Sequence, residues 1–288
     1  IVSLQNLDKE NAFTPSDIDL LTTLTNAMSL SLENARLFSE TQRLLSLLEG
    51  EMELARQTQQ SILPRRLPKY PGYDFGATII PARAVGGDFY DFIQLLNQQC
   101  GIVIGDVSDK GMPAALFMAL TFSLLRAETG QANNPRRVLT NVNRYLLNMN
   151  TLGNFVTLLY SVLDFNTGLV TYTRAGHPLP IVLDQHGGFL DVSMDEGQPL
   201  GLFGEMKIDQ QQFTLPHGGL ALFYSDGANE AADAGGIEFG VERIQQVLYA
   251  HRHQSAAHIC AQLWEAVKTH SGELPHQDDF TAVVVKRA

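Results

Sequence analysis

Four aspartate-bearing turns, spread along the chain, each stand where an apolar run starts or stops. They are Val85-Gly86-Gly87-Asp88, Gly105-Asp106-Val107-Ser108-Asp109-Lys110-Gly111, Ser225-Asp226-Gly227 and Asp278-Asp279-Phe280-Thr281. One Asp-Gly after a strand is ordinarily only a turn. Four at strand ends, drawn from distant segments, are how a chain lines a site with oxygen for hard divalent cations. Glycines beside Asp88 and Asp226 let backbone come close to an ion. A fold that suits this sequence must bring these turns to one place.

The frame can be read from the pattern around them. Thr14-Pro15-Ser16-Asp17 is a helix start, with a capping hydroxyl, Pro at the first helical position and an acid near the positive end. Ile18, Leu21, Leu24, Met28, Leu32 and Ala35 then form one stripe, and Leu37, Leu44, Leu48, Ala55 and Ile62 keep a seven-residue rhythm that Glu51 and Thr58 interrupt. This predicts a long helix over 15–63 of the coiled-coil or dimerisation kind. Two shorter helices broken at Gly50 are the competing expectation. A short strand is expected over 1–7. Pro64, Pro68 and Pro71-Gly72 end the helical stretch and mark a domain boundary.

Beyond the boundary, strands are expected over 75–80, 101–104, 155–165, 169–175, 180–183, 188–192, 206–215, 220–224 and 280–286. Helices are expected over 114–128, from Asn133-Asn134-Pro135 onward, and over 241–250 and 255–270. The 114–128 segment is apolar on most faces, as a buried helix is. Strands joined largely by hairpins argue against a doubly wound parallel sheet. The fold class is α+β: an α-β-β-α sandwich of two mainly antiparallel sheets flanked by helices, with a long N-terminal helix.

Composition bounds the function. The 288 residues fit one large domain, or a domain with an accessory segment, and 44% apolar content supplies a core. A net charge of −11 argues against nucleic-acid binding, which needs a basic surface. It suits a cation site as well as an ordinary acidic protein. Cys100 and Cys260 lack zinc-ligand spacing and are expected to be small buried hydrophobes. No apolar run approaches the ~20 residues that span a bilayer, and no signal peptide is visible. The chain starts at Ile1 without Met, so a longer parent polypeptide is expected. Localisation is expected to be cytoplasmic, with upstream membrane attachment of the parent left open.

The ordered motifs Val85-Gly-Gly-Asp-Phe-Tyr-Asp91, Gly105-Asp-Val-Ser-Asp-Lys-Gly-Met-Pro-Ala-Ala-Leu116, Ala175-Gly-His-Pro178, Pro199-Leu-Gly-Leu202, Tyr224-Ser-Asp-Gly227 and Asp278-Asp-Phe-Thr281 resemble the PPM/PP2C-type serine/threonine phosphatases, in particular their bacterial SpoIIE/RsbU branch. The resemblance runs from about residue 73 to the end. The segment 53–64 is similar to the helical linker of that branch, and 1–38 resembles the C-terminal end of a GAF sensor domain. The implied organisation is therefore a GAF remnant at 1–38, a coiled-coil-like linker at 39–68 and a phosphatase domain at 69–288.

The resemblance implies two Mn²⁺ or Mg²⁺ ions held by Asp88, Asp106, Asp226 and Asp278 and by the Val107 carbonyl, with Asp106 bridging. Asp279 is the runner-up to Asp278. The implied chemistry is hydrolysis of phosphoserine or phosphothreonine by a water that the metals activate. Arg83 stands at the spacing of a phosphate-binding arginine in eukaryotic relatives; an exposed loop charge is the competing reading. Asp109 replaces a glycine usual in the second motif, and is expected to face solvent. Asp91 and Glu230 are expected to be structural. His177 is read as supporting a turn ahead of acting as a general acid. The implied substrate is a phosphorylated STAS-type anti-sigma-factor antagonist or a similar phosphoprotein, and a homodimer through the N-terminal helix is expected. The rival is a non-catalytic regulatory binding module on the same fold. A metal phosphodiesterase is disfavoured, because the chain lacks the His-rich clusters such enzymes often use.

Overall fold

The computed structural model describes residues 3, 5–10, 12–130, 134–149, 153–192, 197–274 and 276–288. The chain divides into two compact units, Ile1–Leu54 and Ala55–Ala288.

The first unit is dominated by α1 (Pro15–Ile62), whose last eight residues belong to the second unit. Its start is fixed by a reciprocal cap. The Thr14 amide donates to Asp17 Oδ2 at 2.8 Å, and the Asp17 amide donates to Thr14 Oγ1 at 3.3 Å. The helix passes through Gly50 without a break, so the single long helix is the correct alternative. No residue of α1 is buried, and Ile18, Leu24, Met28 and Leu32 of the apolar stripe are all exposed. Of the strand expected over 1–7, Ile1, Val2 and Leu4 lie outside the described residues; the others carry no strand.

The second unit is a sandwich of two five-stranded antiparallel sheets. One contains β1 (Tyr73–Ile80), β10 (Phe280–Arg287), β9 (Leu220–Tyr224), β6 (Ile181–Leu183) and β7 (Phe189–Leu190), in that order across the sheet. The other runs β2 (Phe89–Gln94), β3 (Gln99–Val107), β4 (Val156–Asp164), β5 (Leu169–Ala175) and β8 (Gln211–Thr214). Helices α2 (Met112–Thr129) and α3 (Pro135–Met149) cover the second sheet. The short α4 (Asp226–Asn229) follows β9, while α5 (Gly240–His251) and α6 (Ala256–Ser271) cover the first sheet. Between the sheets, Phe75, Ile102, Ile104, Tyr172, Phe223 and Val283 form the central layer. Each fully buried side chain of this size contributes about 1.5–3 kcal/mol of hydrophobic stabilisation.

The expected fold class holds, with one strand missed. β2 lies inside the motif Phe89-Tyr-Asp-Phe-Ile-Gln94, which carries a buried acid and so lacks an apolar strand pattern. Asp91 is 2% exposed and is balanced by Arg126 of α2, whose Nε and Nη2 donate to Oδ2 and Oδ1 at 2.7 and 2.9 Å. This bidentate pair agrees with the structural role expected for Asp91. Cys100 and Cys260 are free and buried, as expected.

Candidate metal centre

The strand registers draw the aspartates together. Phe89 pairs with Gly105, so the next positions, Asp88 and Asp106, face each other at the ends of β2 and β3. On the other sheet Ala282 pairs with Tyr224. Asp226, just after β9, and Asp278, just before β10, therefore meet at the same end. The site straddles both sheets.

Asp88 is the buried centre of this group, 3% exposed. Its Oδ2 accepts from Ser225 Oγ at 2.7 Å and Thr281 Oγ1 at 2.6 Å, both from the opposite sheet. Burial raises the Asp88 pKa well above the ordinary range, and the charges of Asp106 and Asp279 add to the shift. Asp106 is pushed up to about 8, first by burial and then by Asp226, Asp278 and Asp279. Burial, then Asp278, raises Asp226 as well. Carboxylates crowded out of water in this way favour either protons or cations between them.

The adjacent acids 278 and 279 divide their work, which sequence alone could not resolve. Asp279 is 7% exposed, and backbone amides occupy both its oxygens. Oδ1 accepts from Ala82 at 2.7 Å; Oδ2 accepts from Gly87 at 2.7 Å and Asp88 at 3.3 Å. It fastens the 82–88 loop from the start of β10, the strand paired with β1. Asp278 is nearly half exposed, and its Oδ2 forms an ion pair with Lys110 Nζ at 3.0 Å. Lys110 also donates to the Gln277 carbonyl.

The two glycines before Asp88 are demanded by close packing. A Cβ on Gly86 would lie 2.1 Å from Asp279 Oδ2, and one on Gly87 would lie 2.7 Å from the Val107 carbonyl oxygen. The backbone carbonyl expected to serve as a ligand is thus beside the Asp88 loop.

The other candidates fall outside this group. Arg83 is exposed on the 82–88 loop. Asp109 is exposed, as expected, and has a left-handed backbone with φ of 69°. That conformation explains a glycine at this place in the related motif. Glu230 is exposed and lines a small cleft with Gly227, His276 and Asp278. Partial burial, with Asp226 nearby, raises its pKa. His177 is 1% exposed, and Nδ1 lies 3.0 Å from Thr157 Oγ1. Burial depresses its pKa to about 3, so it is a neutral prop. Thr157 is the register partner of Asp106, which places that prop behind the strand end carrying the acid.

Sequence reasoning missed Ser225, Thr281 and Lys110 as participants. Thr281 had a signal: it is a buried polar residue in the otherwise apolar start of β10.

Among the described residues no three acid, histidine or cysteine side chains already converge as a set able to hold an ion. The donor set nonetheless fits a hard divalent cation. It is all oxygen, three of its acids have raised pKa values, and the backbone carbonyl of Val107 lies beside the Asp88 loop.

Two antiparallel sheets covered by paired helices, with aspartates from both meeting at one end of the sandwich, define a PP2C-like fold. The family description "Stage II sporulation protein E (SpoIIE)" matches residues 97–288, and the chain belongs to that family. It is 28% identical over 244 residues to phosphoserine phosphatase RsbU of Bacillus subtilis, covering 83% of this chain and 71% of RsbU. It is 28% identical over 264 residues to protein IcfG of Synechocystis, covering 82% of this chain but only 41% of IcfG. Among solved structures, the SiaA PP2C domain of Pseudomonas aeruginosa superposes with a TM-score of 0.70 at 19% identity, covering 84% of this chain and 98% of that one. The phosphatase domain of Bacillus subtilis SpoIIE, solved with a regulatory fragment, gives 0.65 at 20%, covering 76% and 64%.

Proposed function

We propose that this chain is a metal-dependent phosphoprotein phosphatase that removes phosphate from serine or threonine in a bacterial signalling pathway. The observation that carries the proposal is the facing Asp88–Asp106 pair, with Asp226 and Asp278 arriving from the other sheet. In this reading Asp88, Asp106, Asp226, Asp278 and the Val107 carbonyl hold two Mn²⁺ or Mg²⁺ ions. When bound, such ions supply an activated water and neutralise phosphoryl charge. Ser225 and Thr281 orient Asp88 and oppose the upward shift from burial by donating to one of its oxygens, leaving the other for a cation. Asp279 holds the loop, so it is a positioning residue and Asp278 the ligand. Lys110 pairs with Asp278 and would have to release that carboxylate for it to serve as a metal ligand. Arg83 remains a proposed phosphate contact from the loop.

The substrate class we propose is a phosphorylated STAS-type antagonist of an anti-sigma factor, or a similar phosphoprotein. The name of RsbU, a phosphoserine phosphatase, supports the chemistry. The exposed apolar stripe of α1 supports a homodimer through that helix. No helix among the described residues is long and apolar enough to cross a membrane. The sensor remnant at 1–38 and linker at 39–68 stand as proposed divisions.

The Lys110–Asp278 ion pair favours the rival, a non-catalytic module whose acids are tied to a lysine. Release of phosphate from a small aryl phosphate separates the two readings. Turnover that requires Mn²⁺, stops with chelator and is lost in Asp226→Asn is the expected result. Chelator-insensitive turnover unaffected by that substitution overturns the metal mechanism, and Mn²⁺ binding without turnover of aryl phosphate or phosphopeptide supports the rival.

A further inference from the structure

The 85–88 loop is held from three directions. Asp279 binds its amides from the sheet of β10, and the Val107 carbonyl packs against Gly87 from β3. The third contact comes from neither sheet. Gln59, near the end of α1 and within the same compact unit, meets Gly86 at two points. Its Nε2 donates to the Gly86 carbonyl at 2.6 Å, and its Oε1 accepts from the Gly86 amide at 3.2 Å. A carboxamide carries a donor and an acceptor side by side, so it can satisfy a peptide's carbonyl and amide together. Three residues on, Ile62 packs with Leu63 against the cluster containing Phe89, Met118 and Leu146. Residues three apart share a helix face, so the apolar anchor and the carboxamide face the same way.

We infer that Gln59 is a positioning residue for the metal centre: it sets the loop that carries Asp88, and so ties cation affinity to the seating of the helix end. This deepens the proposed function and rests on its metal reading. The physical step is short. Gly86 has no side chain to hold it, and its only space for one is filled by Asp279. Its backbone orientation is therefore set by what binds its amide and carbonyl. Two residues further on, Asp88 must direct one oxygen to Ser225 and Thr281 and keep the other free. Losing the Gln59 pair leaves Gly86 itself without a partner for its amide and carbonyl, with only Asp279 and the Val107 packing to hold the residues beside it, and the second oxygen loses its fixed direction. Removing a group that orients a ligand typically costs 10–100-fold in metal affinity.

The test uses the full chain with Gln59→Leu, which removes both bonds at similar size, and Gln59→Glu, which keeps the acceptor but sets a carboxylate oxygen against the Gly86 carbonyl. Gln60→Leu, at an exposed neighbouring position, is the control. Mn²⁺ affinity is read by electron paramagnetic resonance, and backbone amide exchange of residues 82–89 is read by mass spectrometry without metal. Both Gln59 variants are expected to bind Mn²⁺ at least tenfold more weakly and to exchange faster across 82–89, with unchanged circular dichroism; Gln60→Leu should match wild type. Wild-type affinity and exchange in Gln59→Leu overturn the inference. So does faster exchange across the whole domain, which marks a general folding defect. If Asp226→Asn binds Mn²⁺ as wild type does, the metal reading falls by itself, and the clamp is judged on exchange alone.

Discussion

At the scale of single residues, the second acidic turn carries two distinct forces. Asp109 occupies a left-handed conformation that costs an L-residue roughly 1–2 kcal/mol, less for Asp than for most others. Asp109→Gly is therefore expected to be neutral or to stabilise by up to about 1 kcal/mol, and Asp109→Val to destabilise by about 1–2 kcal/mol, in urea unfolding at fixed Mn²⁺. Its neighbour Lys110 pairs with Asp278, both partly exposed, so the pair itself is worth at most about 1 kcal/mol. Lys110→Met removes a competitor for that carboxylate. Calorimetry should show Mn²⁺ binding tightened by roughly two- to fivefold; weaker binding would mean that the ammonium helps to assemble the site. The sequence identified Asp88, Asp106 and Asp226 as candidates because each sits beside small or turn-forming residues at a strand end. It could not separate Asp278 from Asp279. That distinction depends on which carboxylate meets the 82–88 amides, nearly two hundred residues away along the chain.

At the scale of elements, β2 is the instructive case. Its residues were legible as a motif and invisible as a strand, because Asp91 interrupts the apolar pattern. The charge is tolerated only through Arg126 of α2. Arg126→Met should therefore cost about 3–5 kcal/mol by leaving a buried carboxylate unpaired, whereas Asp91→Asn should cost less, since Arg126 is half exposed and can reach water. Denaturant melts of both variants check this; equal losses would show that the pair acts through packing alone. The long helices were legible for the opposite reason. The cap at Thr14 and the apolar faces of α2 and α6 are local signals. Clamps such as Gln59 on Gly86 leave no mark in periodicity, since they join a polar helix position to a backbone group.

At the scale of the whole second unit, the proposed metal centre spans the two sheets. A cation bound only by the folded form adds stability by mass action, about 2.7 kcal/mol at a hundredfold excess over Kd. Saturating Mn²⁺ should raise Tm by several degrees; chelator should remove the gain, and Asp226→Asn should show little of it. An unchanged wild-type Tm under confirmed binding would mean that the unfolded chain holds the cation as well, and so that the folded centre is not what binds it. The sandwich itself was readable from hairpin spacing and strand count. The strand order was not, because pairing of β1 with β10 joins segments that share no local signal.

That pairing has a consequence during synthesis. β10 lies between β1 and β9, and Asp278 and Asp279 immediately precede it. Until residues 278–287 have left the ribosome, β1 has no partner in its sheet, the 82–88 loop lacks the carboxylate that fastens it, and Asp88 lacks its Thr281 donor. A nascent chain therefore cannot assemble the centre early and act on a passing phosphoprotein. Its chemistry waits for the last strand to be made.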